Sequence, residues 1–100
     1  MKFLLNVYTD QADPVVWESG ELVDAQMVAD ASTSAVVRVR DGVTTVADGP
    51  YRESAVQVVA YYLVDCEDRE RACELAATMP AARYDAVEVR PVMVAAGWEM

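Results

Sequence analysis

The turn Asp48-Gly49-Pro50-Tyr51-Arg52-Glu53 holds the residues of this chain that are best suited to chemistry. Asp48 and Glu53 lie on either side of Pro50, which stiffens the turn, so their carboxylates can converge on one site. Two close carboxylates separate their pKa values, which leaves one able to donate a proton and the other able to accept one. We therefore predict Asp48 and Glu53 as a candidate catalytic acid/base pair.

The same turn also has a purely structural interpretation. In that interpretation Asp48 accepts the hydrogen bonds of the turn, Gly49 supplies an unusual φ, Pro50 fixes the direction of the chain, and Glu53 is solvated. Replacing both carboxylates with amides separates the two hypotheses. Lost turnover with retained folding supports the enzyme, whereas lost stability alone supports the structural turn.

Aromatic side chains add a second group of candidate site residues. Tyr8, Tyr61 and Tyr62 fall on neighbouring predicted strands, where their hydroxyls can reach a ligand, although aromatic residues of strands more often belong to a core or an interface. Successive side chains of a strand point to opposite faces, so only one face can hold the pocket. Together with Gly49, Pro50 and Tyr51 of the turn, we predict Tyr8 and Tyr61 as ligand-binding residues.

Other kinds of chemistry lack their residues in this sequence. The chain has no histidine to activate Ser54 or a cysteine, and no glycine-rich phosphate loop. Carboxylates and the two cysteines, Cys66 and Cys73, make a poor zinc site and an unspecific magnesium site. The cysteines also stand too far apart on the predicted helix for a disulfide, so we predict packing roles for both. We expect no cofactor and no metal.

Composition limits the class of protein. One hundred residues make one domain, and 54% hydrophobic residues exclude a disordered chain. No apolar run is long enough for a membrane helix, and the start of the chain does not have the pattern of a signal peptide. The net charge of −9 argues against binding to nucleic acid or to anionic membranes. We expect a soluble, cytoplasmic protein.

Hydrophobic periodicity predicts six strands and one helix. The predicted strands are 2–9, 22–29, 35–40, 43–47, 57–64 and 86–93. Asp41-Gly42 favours a type I′ turn, which pairs Arg40 with Val43 and leaves Arg38 in solvent. Pro91 indicates an edge position for the last strand.

The helix is predicted over residues 67–79, where the period changes from that of a strand. Its apolar stripe consists of Ala72, Leu75, Ala76 and Met79. Asp65 is the expected N-cap, and Pro80 ends the helix.

This order of elements predicts an α+β fold. We expect a ferredoxin-like protomer with a mostly antiparallel sheet, one main helix and most of the first helical segment missing. The domain is predicted over residues 1–93, with 94–100 as a tail. Because the missing helix would leave apolar side chains uncovered, we predict that a second copy covers them in a homodimer. Trp17 and Trp98 are the expected dimer contacts.

Four ordered motifs resemble the YCII-related family, and more narrowly its DGPF-type branch. They are Val36-Val37-Arg38-Val39-Arg40-Asp41-Gly42, Asp48-Gly49-Pro50-Tyr51-Arg52-Glu53, Tyr61-Tyr62-Leu63-Val64-Asp65 and Val87-Glu88-Val89-Arg90-Pro91-Val92-Met93. The resemblance implies a dimeric α+β barrel of ferredoxin-like protomers, a cleft near the dimer interface, and an acid/base role for the family's acidic and histidine residues. It also implies a functional link to extracytoplasmic-function sigma factors.

The sequence departs from the family pattern at several points. Tyr51 replaces the phenylalanine of the motif, no histidine is present for a His-Asp pair, and Val59 and Ala60 stand where the family has two glycines. Larger side chains at those two positions can fill a cleft. We therefore expect a homodimeric small-ligand-binding or regulatory accessory protein without catalysis of its own. The alternatives are an acid/base enzyme that uses Asp48 and Glu53 on a small organic substrate, and a purely protein-binding module.

Overall fold

The computed structural model describes residues 1–9, 15 and 17–93. The strands are β1 (Lys2–Thr9), β2 (Leu22–Met27), β3 (Ala35–Arg40), β4 (Val43–Asp48), β5 (Gln57–Asp65) and β6 (Ala86–Pro91). The helices are α1 (Arg69–Ala77) and α2 (Ala81–Tyr84), and a 3-10 turn spans Ala31–Thr33. The predicted strands are all present, with ends that differ by a few residues.

The main sheet has four strands in the order β2-β5-β1-β6, and every neighbouring pair is antiparallel. Strands β3 and β4 form a separate two-stranded hairpin inserted between β2 and β5. The predicted α+β class with a mostly antiparallel sheet and one main helix is therefore confirmed. β6 lies at the edge of the sheet, as Pro91 predicts.

The hairpin has the register that its turn predicts. Asp41 and Gly42 both have positive φ, at 52° and 76°, as a type I′ turn requires. Arg40 pairs with Val43, and the ladder continues to Ala35 opposite Asp48. Both faces of this hairpin are exposed, so it extends away from the core of the protein.

The core lies on one face of the main sheet. Phe3, Leu5 and Val7 of β1 are buried there against α1, while the side chains between them are only half-buried. The apolar stripe predicted for the helix is buried in the same cluster. It consists of Ala72, Leu75 and Ala76 of α1 and of Met79 in the segment after it. The thinnest dimension of the molecule is 17 Å, which leaves room for the sheet and a single layer of helices.

The start of the helix differs from the prediction. Asp65 is the last residue of β5 and pairs with Lys2, so it cannot also begin a helix. Asp68 is the N-cap, and its carboxylate accepts a 2.9 Å hydrogen bond from the backbone N–H of Arg71. The structure also adds a short helix, α2, directly after Pro80, which adopts helical dihedral angles.

Only one cysteine has the predicted packing role. Cys66 is buried, and this burial raises the pKa of its thiol, whereas Cys73 is exposed on α1. Both thiols are free.

Trp17 packs onto the body of its own chain, and its predicted role as a dimer contact stays a prediction. Its ring meets that of Tyr62 edge to face with centroids 5.6 Å apart, and its Nε1–H donates a 2.8 Å hydrogen bond to Thr78 Oγ1. The backbone N–H of Val15 donates to the Tyr62 hydroxyl at 3.1 Å. These side chains cover the core face beside α1.

Two predictions concern residues that the structure does not describe. The predicted loss of the first helix falls largely on residues 10–14 and 16, and the predicted contact of Trp98 falls in the tail 94–100.

An ion pair fastens the start of β2 to α1. Arg71 donates to Glu21 through Nη2 at 2.7 Å and through Nε at 3.0 Å. The hydrogen bonds from Arg71, with a smaller contribution from Ser19, lower the pKa of the Glu21 carboxyl from 4.5 to about 2.

No helix among the described residues is long and apolar enough to cross a membrane.

The lowered pKa of Glu21 makes the contribution of this ion pair dependent on pH. A carboxyl whose pKa is lower in the folded state stabilises that state above its ordinary pKa and loses the effect as pH falls through the folded value. We therefore expect Glu21→Gln to lower the midpoint of thermal unfolding near neutral pH, and the difference from wild type to shrink between pH 4.5 and about 2. Glu74→Gln, at a more exposed Arg71 partner, is the control and should have a smaller effect. A difference that does not vary across this range contradicts the assignment.

Candidate functional site

Two clefts lie at the base of the hairpin, where β4 leads back toward β5. The first cleft has a volume of about 540 Å³ and is lined by residues that include Thr9, Asp30, Pro50, Glu53 and Val59. The second cleft has a volume of about 620 Å³, and its lining includes Tyr8, Ser34, Val36, Tyr51 and Arg52. Both volumes fall in the range of small-molecule sites, which is roughly 300–1,000 Å³.

The backbone around Gly49 joins the two ends of the hairpin. Gly49 has a φ of 98°, a conformation that side chains disfavour, and its N–H donates a 2.7 Å hydrogen bond to the Ser34 carbonyl. Ser34 follows the 3-10 turn, whose first N–H groups are capped by Asp30. Hydrogen bonds from Ser32 lower the pKa of the Asp30 carboxyl. Gly49 and Asp30 therefore fix the walls of the clefts through backbone geometry.

The two predicted catalytic carboxylates occupy different places. Glu53 lines the first cleft, whereas Asp48, at the end of β4, lines neither cleft. Both residues are exposed. Among the described residues, no side chain or backbone N–H donates a hydrogen bond to the Asp48 carboxylate, so the suggested role of this carboxylate in the turn finds no support. The acid/base pairing of Asp48 with Glu53 stays a prediction.

The three tyrosines separate onto two faces of the sheet. Tyr62 is buried in the core. Tyr8 lines the second cleft, and Tyr61 lies one row away on the same face, opposite Asn6 and outside both clefts. Pro50 lines both clefts, and Tyr51 lines the second.

Val59 and Ala60 leave the clefts open. Ala60 is buried on the core face, and Val59 sits at a β-bulge, where the register of β1 and β5 shifts between Val7 and Tyr8. Val59 forms part of the wall of the first cleft and does not fill it.

Polar residues also cross the main sheet next to the clefts. The Asn6 Nδ2 group donates a 3.1 Å hydrogen bond to Glu88 Oε1 on the neighbouring strand. Arg90 donates to the other carboxylate oxygen of Glu88 at 3.2 Å. This row gives the sheet face beside the second cleft a partly polar surface.

Sequence reasoning missed the two arginines around Tyr51. The guanidinium of Arg38 lies 5.3 Å from the centre of the Tyr51 ring, and that of Arg52 lies 5.6 Å from it. Both distances are within the range of cation–π contacts. The hairpin register places Arg38 on the face shared with Thr45, and the adjacency of Tyr51 and Arg52 in sequence was the available signal.

No group of three or more potential metal-ligating side chains occurs within the described ranges. The expected absence of a metal and of a cofactor stays a prediction.

A family model for the YCII-related domain matches residues 1–96. The chain belongs to the YCII-related domain family. An uncharacterised protein of Rhizobium meliloti (strain 1021) is similar, with 31% identity over 77 residues. The match covers 75% of this chain and 62% of that relative, so the chain spans less than two thirds of the relative's length.

Gly49 provides a direct test of how the clefts are held. We expect Gly49→Ala to destabilise the protein by about 1–3 kcal/mol, because a side chain is strained at this φ although no atom obstructs the added methyl group. Urea unfolding measures the free energy, and hydrogen exchange of the β3 and β4 amides locates the effect.

Asp48→Asn is the matched control, with an expected change below about 0.5 kcal/mol. A larger loss for Asp48→Asn than for Gly49→Ala would show that the Asp48 carboxylate, and not the glycine backbone, holds the turn.

Proposed function

We propose that this YCII-related protein is a homodimeric, cytoplasmic small-ligand-binding or regulatory accessory protein of the DGPF-type branch. The observation that carries the proposal is the position of an open cleft beside a sheet face that no described helix covers. Its regulatory role would be exercised through a sigma factor, as the family resemblance implies. The domain itself is taken to end near residue 93.

The uncovered sheet face supports a homodimer. We call it the open face and define it by Leu4, Asn6 and Tyr8 of β1 with Tyr61 and Leu63 of β5, all half-buried. The helices pack on the opposite face, which Trp17 also helps to close. We infer that a second copy would cover this open face, whereas the sequence analysis proposed that it covers side chains left by the missing first helix.

Burial of the open face would favour association. Leu4 lies directly opposite Leu63, and Asn6 lies opposite Tyr61. Fully burying each large apolar side chain contributes about 1.5–3 kcal/mol. Two copies that meet face to face would bury these side chains twice, while Asn6 and Glu88 would keep their mutual hydrogen bond.

The second cleft opens next to this face. Tyr8 belongs to the open face and also lines the second cleft. A second sheet packed on the open face would therefore approach the mouth of the cleft and shield a ligand from water. This arrangement agrees with the family expectation of a cleft near the dimer interface.

The geometry favours binding over the acid/base enzyme. Glu53 is in the first cleft, but the partner that proton transfer requires, Asp48, lines neither cleft. A carboxylate in a cleft suits recognition of a polar ligand without further chemistry. We therefore assign ligand binding to the clefts and no turnover.

A charge at the centre of the open face should disrupt the dimer. We expect wild type to elute as a dimer in size-exclusion chromatography with light scattering, and Leu63→Lys to be monomeric at the same concentration, because a buried unpaired ammonium is costly. Ala82→Glu, on the exposed side of α2, is the control and should remain dimeric. A folded wild-type monomer at micromolar concentration would contradict the proposed assembly.

Ligand binding should raise the stability of the native protein. We expect a thermal-shift screen against a broad metabolite library to give selective hits, since a ligand at about 100 times its Kd adds about 2.7 kcal/mol to stability. For ligands in the first cleft, Glu53→Gln should reduce the shift and Asp48→Asn should not. Turnover of any hit by wild type, abolished in both variants, would instead establish the acid/base enzyme.

A further inference from the structure

Two arginine side chains lie near the ring of Tyr51, which lines the second cleft. The guanidinium carbons of Arg38 and Arg52 lie 5.3 Å and 5.6 Å from the ring centre. Arg38 comes from β3, and Arg52 follows the ring in the turn after β4. The turn and the strand together therefore fix a local concentration of positive charge in a chain whose net charge is −9.

Neither guanidinium has a carboxylate partner among the described residues. Arg71 pairs with Glu21 and Glu74, and Arg90 pairs with Glu88, but no ion pair involves Arg38 or Arg52. A cation–π contact involves the charge and the flat face of the guanidinium. The five N–H donors lie in the plane of the guanidinium and stay available to other partners. These donors match the two oxygens of a carboxylate, which arginine binds in a bidentate manner.

The lining of the second cleft combines one of these arginines with apolar side chains. Arg52 lines the cleft and is the only charged residue in the described part of its wall. Val36, Val58 and Pro50 provide apolar surface, and Tyr8 provides an aromatic one. Thr33, Ser34 and Gln57 add polar side chains to the lining. The cleft therefore has a cationic end and an apolar body.

We propose that the second cleft binds a small organic carboxylate with an apolar body. The carboxylate is held by Arg52, with Arg38 adding charge across the Tyr51 ring, and the apolar body lies against Val36 and Val58. This inference rests on the proposed ligand-binding function and names the class of ligand. It concerns the second cleft alone, so Glu53 in the first cleft has no part in it.

The charge balance favours a monocarboxylate over a phosphate or a nucleic acid. Arg38 and Arg52 supply two positive charges, which is few for a polyanion, and inorganic phosphate has no hydrocarbon body to place against the apolar wall. Nucleic acid would require many more basic contacts than these two. The apolar wall likewise adds affinity only for a ligand with a hydrocarbon body.

Titration by heteronuclear NMR tests this assignment on the intact protein. The probes are benzoate and hexanoate, each compared with its neutral amide, benzamide and hexanamide. We expect the carboxylates to shift the backbone amides of Ser34, Val36 and Tyr51, and the amides to do so at least tenfold more weakly. Arg52→Gln should raise the Kd for benzoate about tenfold or more, since hydrogen bonds between charged groups are the stronger kind.

Matched variants separate a specific site from general charge. Arg69→Gln removes the same charge from the start of α1 and should leave the Kd for benzoate unchanged. Tyr51→Phe keeps the ring and should keep binding, whereas Tyr51→Leu removes the support of both guanidiniums and should weaken it. Equal losses for Arg52→Gln and Arg69→Gln would overturn the site.

Two further results would overturn the proposal, and both leave the proposed function separately testable. If neither carboxylate binds, or if the neutral amides bind equally well, carboxylates are excluded as the ligand class of the second cleft. Neutral hits in the thermal-shift screen would still support a ligand-binding protein. Inorganic phosphate that displaces benzoate with equal affinity would show a general anion site without an apolar requirement. Displacement of benzoate by hexanoate but not by phosphate supports the proposal.

Discussion

The structure depends on a sheet with two faces and on helices that, within residues 1–9, 15 and 17–93, cover only one of them. Strand β1 alternates buried and half-buried residues along its whole length, so Phe3, Leu5 and Val7 lie under α1 while Leu4, Asn6 and Tyr8 lie on the other side. Exposed apolar patches on a protein surface often mark interaction sites. The second cleft lies beside this second face, because Tyr8 belongs to both. The balance between one helical layer and two sheet faces is therefore the physical basis of the proposed dimer.

The two clefts lie at the base of the inserted hairpin. A two-stranded hairpin is marginally stable by itself, and this one exposes Val37 and Val46 as a directly opposed pair. It is held at its base, where Gly49 bonds to Ser34 next to the 3-10 turn. The same contact brings Pro50 and the residues after it against β5. A bound ligand or a second copy at this base would also stabilise the hairpin, which couples occupation of the cleft to order in the inserted segment.

Local rules predicted the features that depend on near neighbours in sequence. The dipeptide Asp41-Gly42 fixed the hairpin register, and the stripe from Ala72 to Met79 identified the buried side of the helix. Features that depend on long-range competition were not predictable. Asp65 has the residue type of a helix cap but is the last residue of β5. The contacts of Trp17 with Tyr62 and Thr78 join distant parts of the chain, so no local pattern predicts them. The candidate turn lies at the base of two clefts, and its role as a site stays a prediction. The arginines on Tyr51 required the fold, because Arg38 reaches the ring from another strand.

The acidic character of the chain and its unpaired guanidiniums are compatible because they act over different distances. At physiological ionic strength the field of an exposed charge is screened over about 8 Å. A small anion in the second cleft is therefore governed by Arg38 and Arg52, both within contact of one ring, and only weakly by the net charge of −9. A large polyanion spans many screening lengths and meets the acidic surface as well. For the proposed carboxylate ligand, this distribution of charge would favour a small anion in the second cleft over nucleic acid.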